Sequence, residues 1–179
     1  MTSPRDELLR RVVADVAAHG LGDRSLRELA AAVHSSHRML LYHFGSRDGL
    51  VAAVVEFVES DQRRVLAELA VESETPAELI RRLWRRVSAP EVLPFVRLFF
   101  ETVAHRGAAD LTAPWIEESA PITERFGLPF DPAEIRLGVA VTRGLLVDVI
   151  LTGDVSAATE SLERFIEHWQ SAVTPAEGG

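Results

Sequence analysis

Three features of the chain predict an all-α fold. Apolar residues recur at three- and four-residue spacing along most of its length, as in Leu8, Leu9, Val12, Val13 and Val16, the period of one helix face. The same start signal occurs three times: Ser3-Pro4-Arg5-Asp6, Thr75-Pro76-Ala77-Glu78 and Asp131-Pro132-Ala133-Glu134 each supply a capping side chain, a proline at the first helical position and an acid at the third. No segment sustains the period-two alternation of a strand long enough to assign a sheet.

About nine helices follow in order. The first opens at Ser3-Pro4 and ends near His19-Gly20. Ser25-Leu26-Arg27-Glu28 is a capping box, in which serine and glutamate each satisfy a backbone donor left open at a helix start, and it opens a short second helix to about Val33. A third helix is expected from Ser36 to about Tyr42; Gly45-Ser46 then breaks the chain before a long fourth helix from Arg47 to about Val71. The fifth begins at Thr75-Pro76, the sixth and seventh occupy about 91–106 and 113–125 on either side of Gly107, and the eighth begins at Asp131-Pro132. The ninth follows Gly153-Asp154 and runs over about 157–171. This order predicts a three-helix head at 1–46, a larger helical body at 47–173 and a disordered tail at 174–179.

Composition narrows the function classes. With 179 residues, 47% of them hydrophobic and 26% charged, the chain can bury a real core and does not read as disordered. It contains no cysteine, which excludes disulfides and thiolate metal sites and fits a cytoplasmic setting. Charges at Arg5, Asp6, Glu7, Arg10, Arg11 and Asp15 argue against a signal peptide in the first twenty residues, and no apolar run approaches the length a membrane span requires. The formal charge of −8 is unevenly spread: residues 1–50 hold seven arginines against six acids, whereas residues 51–179 hold twelve against twenty-one. The acid therefore lies in the body, and the head can approach a polyanion.

The informative stretch is Ser25 to Leu50, SLRELAAAVHSSHRMLLYHFGSRDGL. Two short helices joined near His34-Ser35 match the helix-turn-helix layout, in which the second helix enters the major groove of DNA. On that second helix Ser35, Ser36, His37, Arg38, Tyr42 and His43 supply donors and acceptors, while Leu40, Leu41 and Phe44 are expected to hold it to the first two helices. Arg38 suits bidentate contact with guanine, Met39 suits a thymine methyl, and His37 suits either base.

With Leu40-Leu41-Tyr42-His43-Phe44 followed by Gly45-Ser46-Arg47, the N-terminal region resembles the tetracycline-repressor (TetR) family of bacterial transcriptional regulators, specifically over residues 5–55. His34 stands where that family usually has a turn glycine, Leu41 where it usually has a tyrosine, and Arg47 where lysine is common. The resemblance implies that Arg27 also reaches a base edge and that Ser25, Tyr42, His43 and Arg47 hold phosphates. It further implies double-stranded operator DNA as partner, a homodimer, and a small, largely apolar effector, with no metal or other cofactor.

In the body, the helix over 131–152 is apolar nearly all round, so it must be covered on more than one side. Gly138, Ala140 and Gly144 allow close approach of another helix, and the ninth helix presents Leu162, Phe165, Ile166 and Trp169 at helical spacing. A four-helix dimer interface using Val141, Leu145, Phe165, Ile166 and Trp169 is one reading; a fully internal core is the other. Trp84, Phe95, Phe99, Phe100, Trp115 and Phe126 make an aromatic-rich region that is either plain core or, by the resemblance, an effector site with His105, Thr142 and Arg143 as its polar groups. Arg81, Arg82, Arg85 and Arg86 fall opposite Leu79, Leu83 and Val87, the layout of a solvated amphipathic helix rather than of a second nucleic-acid patch.

Catalysis finds no motif to run on: HExxH, a glycine-rich phosphate loop, GxSxG and paired Glu-x-x-His sets are all missing from the sequence. The alternatives to a repressor are an enzyme or ligand carrier of helical-bundle fold, and a TetR-like head that activates rather than represses or that serves as a protein-interaction module without operator binding.

Overall fold

The computed structural model describes residues 3–106 and 111–173, with side chains described over 3–100 and 111–171. Among the described residues there are nine α-helices and no strand: α1 Pro4–His19, α2 Leu26–Ala32, α3 His37–Phe44, α4 Arg47–Glu72, α5 Pro76–Val87, α6 Leu93–Arg106, α7 Ala113–Arg125, α8 Pro132–Thr152 and α9 Val155–Val173. None is long and apolar enough to cross a membrane. The tail expected at 174–179 and the side chain of His105 lie outside the described residues.

The caps form as their sequences dictate. The side chains of Ser3, Ser25, Ser36 and Thr75 each accept from the backbone N–H three residues on, and Asp131 accepts from Ala133 at 2.8 Å. Three boundaries shift from the expected ones. α3 continues to Phe44 and closes on Gly45 at φ 75°, whose N–H donates to the Leu41 carbonyl at 2.9 Å. α6 begins at Leu93 because Pro90 interrupts the chain and Val92 and Leu93 turn back onto the Ala89 carbonyl. α9 begins at Val155, its start held by the Asp154 carboxylate, which accepts from the Ala157 N–H at 2.9 Å.

The chain packs as two compact units. The first comprises residues 1–62 and 89–108, so it contains α1, α2, α3, the first part of α4 and α6. Its buried residues include Val12, Val16, Leu29, Leu40, Leu50 and Val54; α2 packs on α3, and α1 on α6. The second comprises 63–88 and 109–179. There Leu66, Ala70 and Leu79 form a core against which Leu69, Leu83, Trp115, Ile122 and Phe126 pack, while α8 packs on both α7 and α9. The packing division falls inside α4, between Gln62 and Arg63.

Long-range polar contacts tie the second unit together. Arg81 of α5 reaches Glu163 of α9, donating to both carboxylate oxygens at 2.8–2.9 Å, and this hydrogen bonding holds the Glu163 carboxyl below its usual range. Arg125 of α7 donates to the carbonyls of Ala70, Val71 and Ser73, filling acceptors that the end of α4 leaves open.

Candidate nucleic-acid interface

The turn between α2 and α3 sets the interface. α2 ends in a Schellman motif: the Ser35 N–H donates back to the Ala30 carbonyl at 2.8 Å and the His34 N–H to Ala31 at 3.2 Å. That geometry needs a left-handed residue, and His34 supplies it at φ 53°, making it the one non-glycine residue with positive φ among the described residues. A side chain bearing a Cβ is strained in that conformation, where a glycine would not be.

After this turn Ser36 caps α3, accepting from the Met39 N–H at 3.2 Å and keeping its own hydroxyl proton to donate. Leu40 and Phe44 point inward and are buried. With 100° per residue, the opposite face is centred between Arg38 and Tyr42, flanked by Met39 on one side and Leu41 on the other, and all four are exposed. Tyr42 is 79% exposed. Leu41 corrects the sequence reading: it was expected to hold α3 to its neighbours, but it lies a third of a turn from Leu40 and is 39% exposed.

Seven arginines precede residue 50, and the structure sorts them. Arg5 stacks over the Phe44 ring, Arg10 pairs with Glu7, Arg11 donates to the Val33 carbonyl, and Arg24 binds Asp15 and the Gly20 and Leu21 carbonyls. Arg47, expected to hold a phosphate, is half-buried and braces the loop before α2, donating to the carbonyls of Arg24 at 2.9 Å and Gly22 at 2.6 Å. Arg27 and Arg38 remain exposed, with no hydrogen bond or ion pair to another described residue. Both sit in the first turn of a helix, where the helix dipole adds positive potential, and the first turn of α3 carries no acid.

Other expected contacts stand differently. The Ser25 hydroxyl donates to the Glu28 carboxylate at 2.7 Å, and the same oxygen of Glu28 accepts from the Ser25 N–H. These bonds hold the Glu28 carboxyl below its usual range, so an anion beside Ser25 meets a negative neighbour. His43 is half-buried, its ring edge-on to those of Tyr42 and Phe44, and its Nε2 is turned into the protein without a hydrogen-bond partner among the described residues. Ser35 and His37 are half-buried at the start of α3.

The body residues also divide. Phe95, Phe99 and Phe100 lie on α6 in the first unit; Trp84, Trp115, Thr142 and Arg143 belong to the second. Trp84 is 3% exposed and its indole N–H donates to Thr159 Oγ1 at 2.8 Å, which makes it a core residue of that unit. Arg143 donates to Thr112 Oγ1 and the Leu111 carbonyl, and Thr142 to its own helix at Gly138. Of the residues assigned to a dimer interface, Val141, Leu145, Phe165 and Trp169 are half-buried, but Ile166 is 0% exposed within one chain. Ile166 therefore faces inward, with Leu162 and Ala158 on the same side of α9, and cannot contact a second copy directly.

No family model and no curated protein matches the sequence. Solved structures do match over nearly the whole chain. A TetR-family transcriptional regulator of Pectobacterium atrosepticum superimposes with a TM-score of 0.78 at 19% identity, covering 96% of this chain and 94% of that one. The multidrug binding protein EbrR, complexed with imidazole, gives 0.67 at 24% identity with 90% of each chain covered. The TetR-family repressor AlkX of Dietzia sp. strain DQ12-45-1b, implicated in biodegradation of n-alkanes, gives 0.64 at 16% identity with 96% and 98% covered. The all-α architecture with an N-terminal helix-turn-helix is the fold that these solved structures share with the chain.

Proposed function

We propose that this chain is a TetR-type transcriptional regulator that binds a palindromic operator as a homodimer and leaves it when a small, largely apolar effector binds the body. The carrying observation is the outward face of α3, where Arg38 and Tyr42 stand exposed, one turn apart, on a short helix whose first turn holds no acid. In this reading Arg38 reads a guanine edge, Met39 a thymine methyl, and Ser36, Tyr42 and Arg27 fix the register on phosphates or bases. Residues 1–46 act as the DNA-binding part and 47–173 as the effector-binding and dimerising part.

Dimerisation is supported by the free side of α8. Leu137, Ala140, Gly144, Asp148 and Leu151 form an exposed stripe along it, apolar apart from Asp148, and Leu151 is 78% exposed. Two copies present two recognition helices, which must meet successive major grooves about 34 Å apart. The effector reading is supported by the aromatic content of the body and by the shared fold with EbrR, described as a multidrug binding protein.

The test is selection of bound duplex from a random pool, followed by footprinting and titration. An enriched palindrome is expected, with log affinity falling linearly against log salt by about 0.9 per neutralised phosphate. Arg38→Ala should cost on the order of 1–3 kcal/mol on that site and relax the preference at one position. A pool that enriches no sequence overturns the proposal. A candidate effector must weaken operator affinity by the same factor by which the operator weakens effector binding.

A further inference from the structure

Leu41 is an apolar side chain on one flank of the outward face of α3, 39% exposed at the edge of a surface whose centre carries Arg38 and Tyr42. It belongs to a face of mixed chemistry: a guanidinium without a partner among the described residues, an exposed phenol, and two apolar side chains, Met39 at 41% and Leu41 at 39% exposed, on opposite flanks. In the major groove one base presents an apolar group, the C5-methyl of thymine, and guanine alone presents the paired acceptors that a guanidinium fork matches. A face combining the two thus fits a guanine close to a thymine.

Resting on the DNA-binding reading above, we infer that Leu41 is a specificity-determining residue that packs against a thymine methyl in each operator half-site. Arg38 and Leu41 are three residues apart, about 4.5 Å along the helix axis, and base pairs are spaced by about 3.4 Å. The thymine read by Leu41 therefore lies within one or two base pairs of the guanine read by Arg38. Met39, on the far flank of the same face, cannot reach that methyl while Leu41 covers it.

The selected operator is titrated with each thymine replaced in turn by deoxyuridine, which removes the methyl and leaves every hydrogen-bonding group of the base in place. At one position per half-site, next to the guanine whose readout Arg38→Ala abolishes, deoxyuridine should weaken binding about fourfold, the value of one buried methyl-sized group. Replacing both half-sites should weaken it about fifteenfold. Leu41→Ala, at an exposed position that leaves the core intact, should bind the thymine and deoxyuridine duplexes equally. Sensitivity that survives in Leu41→Ala, or that disappears in Met39→Ala instead, overturns the assignment. So does an operator on which no thymine replacement matters, while specific binding itself stands. A random pool that enriches nothing removes the DNA-binding reading and this inference with it.

Discussion

Replacing His34 by glycine should stabilise the protein, and the size of the effect follows from one backbone angle. His34 sits at φ 53° in the left-handed position of the Schellman turn, and its side chain is exposed without a hydrogen bond to another described residue. A left-handed L-residue costs about 1–2 kcal/mol, whereas glycine adopts that conformation without strain but loses about 0.5–1 kcal/mol more backbone entropy on folding. The difference lies between about 0 and 1.5 kcal/mol, centred on about 0.75 kcal/mol in favour of His34→Gly, or about 1.5–3 °C in melting temperature for a chain of this size. His34→Ala is the control, because it removes the same exposed ring and keeps the strain; it should stay within a few tenths of a kcal/mol of the parent. Far-UV circular dichroism is the appropriate probe, since all three tryptophans, Trp84, Trp115 and Trp169, belong to the second unit while His34 belongs to the first. Urea midpoints showing His34→Gly no more stable than His34→Ala would refute the strain argument.

Ser25→Ala should remove the side-chain half of the capping box, leaving the residue-25 N–H on the Glu28 carboxylate, and cost about 1 kcal/mol of stability, with operator affinity measured well below the unfolding transition changed less than twofold; a tenfold loss of affinity at unchanged stability would make Ser25 a phosphate contact. Arg125→Ala should cost about 1–2 kcal/mol by stripping the carbonyls of Ala70 and Val71 of a charged donor, and Arg125→Lys should recover only part, because an ammonium lacks the planar fork that spans them; tryptophan-detected urea unfolding measures both. Glu163, held below its usual range by the Arg81 hydrogen bonds, adds stability that is present above the unfolded carboxyl value near 4.3 and is lost as pH falls through the lower folded value. The stability gap between parent and Glu163→Gln should therefore close in acid, and it should stay below about 1 kcal/mol at neutral pH because both side chains are more than a third exposed. A gap that widens in acid would contradict the pairing.

What could be read without coordinates is what a few neighbouring residues decide among themselves. The caps at Ser3, Ser25, Ser36, Thr75 and Asp131 bond within three residues of their own position, and the left-handed turn at His34 is closed by carbonyls three and five residues back. Such contacts have the same partners in any fold that contains the helix, so helix order, the turn and the polar third helix were all legible. Arg47, Leu41, Trp84 and Ile166 were not. Arg47 meets carbonyls 23 and 25 residues away, Trp84 meets Thr159, and Ile166 is covered only because α9 turns that side toward the rest of its unit. Periodicity says that a helix has an apolar side; which neighbour covers it, and which arginine is left without a partner among the described residues, depends on surfaces meeting that lie far apart along the chain, and only the packed tertiary structure brings them together.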